Sequence, residues 1–507
     1  MSRIVAVSNR VAAPGAAGSP GGLGVALQSA LAGADALWFG WSGRRAQSFS
    51  GSVEMLEQGA LRFAQLDLDD QDFKSYYNGF ANAMLWPVFH ARTDLAAYDR
   101  AFGAGYDRVN TRFAEALAPL LRPDDLIWVH DYHLIPLGRE LRRLGVKQPI
   151  GFFLHIPWPA PQQFATIPQH RELVEALFAY DLVGLQTEED VCALTTYAEA
   201  EFGGHLAAGR LLAEGRSVCV GAFPVGLDVE PFLDLAGSAA ADRSWERMSA
   251  HGAFRSLVVG VDRLDYSKGL PERLLGFERY LSDHPDMARK VIYLQIAPSS
   301  RGGVDAYQAL RADVLALAGR INATFADMDH APVLCVNRAF DRAELAGVYR
   351  AARVGLVTPL RDGMNLVAKE YVAAQDPRDP GVLVLSRFAG AARQMKDAII
   401  VNPYCREEMA DALHQALSMP LPERRRRWEA LMAGVVQSDV RAWRDDFLAA
   451  LRASRRRAVP ASAVVSWPVL LGQAIEVPIS GAPSPVRGAR ALGSAALESG
   501  WRSSARG

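Results

Sequence analysis

Leu126-Ile127-Trp128-Val129-His130-Asp131-Tyr132-His133 and, after an amphipathic interval, Ile150-Gly151-Phe152-Phe153-Leu154-His155-Ile156-Pro157 form the stretch that decides the fold. Each opens on a short apolar run of β-branched and aromatic residues that ends on a histidine. Two such runs around a helix-like interval are the pattern of a βαβ unit on a parallel sheet. The pattern repeats outward. Ile4–Ser8 and Ala36–Trp41 precede it, and Leu182–Gln186 and Val218–Val225 follow. After Asp228 the chain turns polar and Ala-rich to about Ala253, a linker by composition. A second series then runs through Leu257–Val261, Val291–Ile296, Val333–Val336, Val354–Val357, Val382–Leu385 and Ile399–Val401. The expected fold class is α/β, with two doubly wound, Rossmann-like domains facing a central cleft. The first takes residues 1–240 and the second 241–455, the helix-like stretch Arg441–Ala453 ending the folded part and packing back on the first domain. Residues 456–507, rich in Ala, Ser, Gly, Pro and Arg without periodicity, read as a disordered tail.

Composition agrees and excludes several classes. At 507 residues the chain exceeds what one hydrophobic core serves. Half of the residues are hydrophobic and 22% are charged, the balance of a globular protein. A formal net charge of −1 argues against a nucleic-acid binder, and the cluster Arg424–Arg427 reads as a solvated helix face. Cys192, Cys219, Cys335 and Cys405 lack C-x-x-C spacing, so neither a disulfide framework nor a zinc site is expected. His130, Asp131 and His133 pass for metal ligands by type, but a structural zinc site wants more Cys or His at matched spacing. No apolar run reaches membrane-spanning length and the N-terminus shows no signal-peptide core, so the cytoplasm is expected. Six of the 55 Lys and Arg residues are lysines, which draws attention to Lys268 and Lys369.

In open parallel sheets, ligands bind beyond the carboxyl ends of the strands. Polar or charged groups stand at six such ends: Asn9-Arg10, His130-Asp131, His155, Asp262-Arg263, Ser300-Arg301 and Arg361-Asp362. Arg10 precedes a glycine-rich loop ending in Gly21-Gly22-Leu23-Gly24, where backbone N–H groups and a helix start suit a phosphate; a plain flexible loop is the alternative. Arg263 and Lys268, five positions apart between a strand and a helix, suit a pyrophosphate that gains charge as a nucleotide leaves. A surface ion pair among Arg263, Asp265 and Lys268 is the plainer reading of the same residues. In Thr358-Pro359-Leu360-Arg361-Asp362-Gly363-Met364-Asn365, Gly363 is expected to take a positive φ. Asn365-Leu366 then open a helix whose free N–H groups hold phosphates, with Glu370 placed for ribose hydroxyls. His155 is either a hydrogen-bonded core residue or part of a rigid sugar-lined wall with Pro157, Trp158 and Pro159.

Taken together, Ser8-Asn9-Arg10, Gly21-Gly22-Leu23, Trp128–Leu134, Gly151–Pro157, Arg263–Gly269 and Arg361–Gln375 resemble the trehalose-6-phosphate synthase family, from about Arg3 to Leu451. The resemblance implies the two-domain glycosyltransferase B architecture and retaining transfer of glucose from a nucleoside diphosphate glucose, UDP-glucose first, to glucose 6-phosphate. It implies acceptor binding by Arg10, Tyr77, Asp131 and Arg301, with Arg10 and Arg301 clamping the phosphate. Trp86 and Ile156 would line the acceptor pocket and select the α anomer. Donor binding falls to Gly22, Leu23, Arg263, Lys268, Phe340, Asp362, Leu366, Val367, Ala368, Lys369 and Glu370. The implied catalytic set is Arg263, Lys268, His155 and Asp362, the last two touching the transferred glucose. The family's front-face substitution asks for no cofactor and no metal, because the two cations and the helix start take up the leaving charge. Expected partners are these small molecules, neither nucleic acid nor membrane, and further copies of the chain as a dimer or tetramer. Trp158 stands where many relatives carry Phe and Gly24 adds a third glycine to its loop, but neither removes a charged group from the site. Three other readings stay open: a transferase with another acceptor (a glucosylglycerol-phosphate or pseudo-glycosyl synthase), a sugar-nucleotide epimerase, and a non-catalytic sugar-phosphate sensor.

Overall fold

The computed structural model describes residues 2–11, 22–251, 256–299 and 305–454; the tail read from residue 456 lies outside them. Among the described residues the strands form two sheets. The first holds β1 (Ile4–Arg10), β2 (Ala36–Ala46), β3 (Glu54–Gln58), β4 (Leu61–Asp69), β5 (Leu126–His130), β6 (Ile150–Phe153), β7 (Leu182–Leu185), β8 (His205–Ala207), β9 (Arg210–Ala213) and β10 (Arg216–Ala222). Their order is β3-β4-β2-β1-β5-β6-β7-β10-β9-β8, parallel from β4 to β10 and antiparallel at both edges. The second sheet holds β11 (Ser256–Val261), β12 (Val291–Ile296), β13 (Val333–Val336), β14 (Val354–Val357), β15 (Val382–Ser386) and β16 (Ile399–Val401). Its order is β13-β12-β11-β14-β15-β16, parallel throughout.

Successive residues of a strand point to opposite faces, yet Val5, Ala6, Val7 and Ile127, Trp128, Val129 are all fully buried. Both faces of the interior strands are therefore covered, which is why they read as unbroken apolar runs. Toward the sheet edge the pattern changes: the edge strand β3 exposes Glu54, Met55, Glu57 and Gln58, and β4 beside it interrupts its apolar residues with Arg62, Gln65, Asp67 and Asp69. Residues 228–253, a linker by composition, hold the helices Val229–Ala236 and Ala239–His251. The second packs so closely on the helix Arg342–Ala351 that a Cβ on Gly347 would stand 2.1 Å from the Ala241 carbonyl oxygen. The basic cluster is paired: Arg424 meets Asp379 at 2.7 Å, Arg426 meets Asp397 at 3.1 Å and Arg427 meets Glu423 at 2.8 Å.

The helix Val440–Ser454 lies on the first sheet. Its Phe447 ring fills a hollow left by Gly151 of β6 and Gly184 of β7, and its Trp443 and Phe447 rings stand 4.7 and 5.0 Å from that of Trp128. Burying such a ring stabilises by about 1.5–3 kcal/mol. No helix among the described residues is long and apolar enough to cross a membrane. Among the parallel strands of each sheet the order reverses at one point, between β1 and β5 and between β11 and β14. Doubly wound sheets bind ligands beyond the carboxyl ends of the strands at such points.

Candidate active site

On the second sheet, β11 leads into Asp262-Arg263 and β14 into Thr358–Asn365. The fully buried Arg273 ties these ends together: it pairs with Asp262 at 2.8 Å and donates to Thr358 Oγ1, Gln295 Oε1 and the Lys268 carbonyl at 3.0, 3.0 and 3.2 Å. Asp262 thus belongs to the scaffold rather than to the cleft. Asp265 shapes the next turn, accepting from Ser267 N and Oγ at 3.0 and 2.9 Å. That turn delivers Lys268 Nζ to Asp362 Oδ2 at 2.5 Å, and Asn365 Nδ2 donates to the same oxygen at 3.1 Å. The surface ion pair with Asp265 does not form; Lys268 reaches the neighbouring loop instead. Arg263 remains exposed, its guanidinium 5.6 Å from the Trp86 ring centroid, so a cation of the second sheet stands over an aromatic ring packed on the first.

The positive φ expected at Gly363 falls on Asn365, at 75°. Gly363 is required for another reason: a Cβ there would lie 2.0 Å from the His155 carbonyl oxygen, so this loop runs directly against a strand end of the first sheet. Asn365 makes no side-chain cap on the helix Leu366–Ala373, which leaves the first-turn N–H groups open to an anion. Leu366, Val367 and Ala368 occupy that turn. Glu370 Oε1 accepts from Arg342 Nη2 at 2.9 Å, and burial pushes its carboxyl up despite this partner. A cavity of about 400 Å³ opens beside Phe340 and Arg338 against Ile292, Leu294 and Ile296 of β12. Lys369 departs from the expected role. Its ammonium is buried, donates to the Val225 carbonyl at 2.9 Å and to Gln394 Oε1 at 2.8 Å, and is driven by burial down to about 7. The side chain is a brace between Val225, just past the end of β10, and the Gln394 turn.

On the first sheet, Arg10 ends β1 with its guanidinium 6.0 Å from the Trp41 ring. It lies against Gly43, at φ 91°, where a Cβ would stand 2.8 Å from Arg10 Nε. Tyr77 sits on a 13-residue π-helix, Phe73–Leu85, stacked on Phe73 at 5.4 Å and on His133 at 5.9 Å. Trp86 and Ile156 are buried, with the His90 ring 4.1 Å from that of Trp86. Asp131 follows β5 at φ 77° and ψ 165°, a region nearly reserved for glycine. Its Oδ1 accepts from the His155 peptide N–H at 3.2 Å, and its own N–H donates to the Phe153 carbonyl at 2.8 Å. Residues held in such conformations cluster at active sites and ligand clamps. His155 Nε2 lies 3.1 Å from His130 Nδ1, and burial lowers the His155 ring to about 3, so it is neutral. Gly22 and Leu23 begin the helix Gly22–Leu31, Gly22 exposed. The glycine-rich loop through Gly21 and the acceptor candidate Arg301 lie outside the described residues.

Arg273, the seat of Arg10 on Trp41 and Gly43, and the pairing of His130 with His155 escaped the sequence reading. The last had a signal: both histidines end neighbouring parallel runs, and β5 pairs His130 with Phe153, two residues short of His155. Among the described residues no three His, Cys, Asp or Glu side chains converge as a metal site would require.

Known proteins carry the same fold. The family model for Glycosyltransferase family 20 matches residues 9–453. A trehalose-6-phosphate synthase of Sinorhizobium fredii is 48% identical over 462 residues, 90% of this chain and 100% of its own. The crystal structure of an α,α-trehalose-phosphate synthase (UDP-forming) from Burkholderia xenovorans in complex with glucose-6-phosphate superposes with a TM-score of 0.86 at 48% identity, over 89% of this chain and 100% of the other. A structure from E. coli bound with UDP-2-fluoro glucose gives 0.85 at 44% identity, over 90% and 100%. The family match across the folded chain, the full-length relatives and the two facing sheets agree: the chain belongs to glycosyltransferase family 20 and has the glycosyltransferase B fold.

Proposed function

We propose that the chain is a retaining glucosyltransferase that moves glucose from UDP-glucose to glucose 6-phosphate, forming α,α-trehalose 6-phosphate and UDP. The observation that carries this reading is the meeting of the two switch points. Arg263, the Lys268–Asp362 pair and an uncapped helix start face Arg10, Tyr77, Asp131 and His155, in contact where Arg263 stands over Trp86 and Gly363 abuts His155. Two anionic substrates need two cationic ends, one in each half. Relatives named for trehalose 6-phosphate synthesis, one solved with glucose-6-phosphate and one with UDP-2-fluoro glucose, support the same pair of ligands.

In this reading Arg10, Tyr77, Asp131 and Arg301 hold glucose 6-phosphate, and Trp86 and Ile156 shape the pocket for the α,α linkage. The free first-turn N–H groups of Leu366, Val367 and Ala368 hold the donor phosphates and the Glu370 carboxylate its ribose, with Gly22, Leu23 and Phe340 completing the donor side. The acceptor O1 attacks C1 on the face from which the bond to the β-phosphate breaks. The electron pair leaves with UDP, and the departing phosphate oxygen takes the acceptor's proton. Negative charge on that phosphate grows toward the transition state, so Arg263, Lys268 and the helix N–H groups stabilise the transition state more than the bound substrates. A double displacement needs an enzymic carboxylate as nucleophile. Asp362 is held by Lys268 and Asn365, both of which blunt its nucleophilicity, and this favours the front-face route. With the leaving charge met by these groups, the reaction calls for no metal or cofactor.

The test is incubation of the purified protein with glucose 6-phosphate and UDP-, GDP- or ADP-glucose in the presence of a chelator. Trehalose 6-phosphate is expected, fastest from UDP-glucose. No product with any donor refutes the reaction, and product that appears only after a divalent metal is added refutes its metal-free form.

A further inference from the structure

His130 and His155 stand at the ends of neighbouring parallel strands, with Nδ1 of the first 3.1 Å from Nε2 of the second. His130 is fully buried, its ring 4.4 Å from that of Trp128, 6.2 Å from Trp443 and 6.4 Å from Phe153. Its other nitrogen, Nε2, is buried and has no hydrogen-bond partner among the described residues. His155 is only partly buried, and its backbone is fixed: the N–H on Asp131, the carbonyl accepting from Gln186 Nε2 at 3.3 Å. Burial pushes both rings below the ordinary histidine range, so each is neutral and carries one N–H.

Two neutral imidazoles in contact share one proton between them, which leaves two arrangements. If His155 Nε2–H donates, His130 must carry its own proton on Nε2, an apolar-walled donor with no acceptor, at the full desolvation penalty of that group. If His130 Nδ1–H donates, its Nε2 is left as a bare lone pair, and orphaned acceptors are tolerated better than orphaned donors. The surroundings of His130 therefore choose the second arrangement.

We infer that His130 is a positioning residue that fixes the tautomer of His155, donating from Nδ1 to His155 Nε2 so that His155 presents its Nδ1–H as a donor to the transferred sugar. The identity of that ligand rests on the glucosyl-transfer reading; the tautomer does not. A neutral donor orients a sugar oxygen without opposing the positive charge that develops on the ring as the glycosidic bond breaks. His130 touches no substrate and acts through its neighbour.

The direct test labels the histidine rings of the full chain with 15N and records long-range proton–nitrogen correlations with and without UDP, assigning the two residues from His155→Gln and His130→Asn. His155 is expected protonated at Nδ1 and bare at Nε2; a proton on His155 Nε2 overturns the inference. Activity supplies a second arm. Asn carries an amide N–H where Nδ1 stood, whereas Phe keeps the packing and removes the donor. His130→Phe should lower kcat about 10–100-fold, the usual loss for a group that orients another, with the KM values nearly unchanged, while His130→Asn stays within about threefold of wild type. Equal losses in the two variants, or a loss confined to KM, overturn it. Should His130→Phe fail to fold, the spectrum of the wild type still decides. Absence of product from the wild type would refute the reaction, whereas the ring spectrum judges this inference alone.

Discussion

Gly363→Ala perturbs the seam between the two halves of the site with a single methyl group. The new Cβ would stand 2.0 Å from the His155 carbonyl oxygen, 2.9 Å from its carbon and 3.1 Å from Ile156 Cα, all backbone atoms. Ordinary contact begins near 3.4 Å, so loop and strand end must part by about 1.4 Å, and no side chain can rotate to absorb the shift. The displaced groups are Asp362 with its Lys268 contact on one side and His155 with its Asp131 contact on the other. A misplacement of about 1 Å costs about 10²-fold in rate, or about 2.7 kcal/mol on the barrier. Overpacking removes a further ~1–3 kcal/mol of stability. Steady-state release of UDP should therefore show kcat down about 10²-fold, and urea unfolding a matching loss of stability. Gly434→Ala is the control: that residue lies in the helix Leu421–Gln437 with open space at its Cβ, so kcat should not change and stability should rise by up to about 1 kcal/mol. Wild-type kcat and stability in Gly363→Ala would mean that the halves do not meet at His155, and the geometry argued for the site would be wrong.

Arg273→Met leaves Asp262 buried without its cation and should cost about 3–5 kcal/mol in urea denaturation; an unchanged midpoint would remove Arg273 from the scaffold. Phe447→Ala empties the hollow against Gly151 and Gly184 and should cost about 3–5 kcal/mol, whereas a loss under about 1 kcal/mol would contradict the packing of that helix on the first sheet. Lys369 supplies a pH test. Folding lowers its ammonium from 10.5 to about 7, so between these values the unfolded chain binds the extra proton and stability rises with pH. Below about pH 7 the penalty of the buried charge is present in full, and above it the penalty lifts by at most about 1.4 kcal/mol per pH unit. The stability of wild type relative to Lys369→Met should therefore increase between about pH 7 and about pH 9.5, and a constant difference would contradict a depressed Lys369.

Most interior strands were legible because a parallel sheet buried on both faces leaves continuous apolar runs; Leu126–His130, Val291–Ile296, Val333–Val336 and Val354–Val357 are strands with those bounds. β3, β4, β8 and β9 were not legible: β3 and β8 are edge strands that face solvent, and β4 and β9 beside them are interrupted by polar residues such as Arg62, Gln65, Asp67 and Arg210 and carry no such run. The helices Val229–Ala236 and Ala239–His251 looked like linker for a related reason: polar and Ala-rich sequence suits a helix that packs along one side. In the site, which strand ends carry charge was readable, because the doubly wound rule depends only on where the apolar runs stop. Partner choice was not. Lys268 finds Asp362 across 94 positions and Lys369 finds Val225 across 144, distances at which nothing local decides where a side chain goes. The same limit explains Gly363 and Asn365: the rule that gives a positive φ to glycine misses a turn in which the glycine is needed for proximity to another strand.

Proton NMR of the product formed from UDP-glucose and glucose 6-phosphate decides whether the chain transfers glucose with retention onto glucose 6-phosphate. Such transfer gives one disaccharide phosphate whose two anomeric protons both show the small α-type coupling, formed in equal amount with UDP. A β-configured glycosidic bond, or free glucose and UDP without a disaccharide, would contradict it.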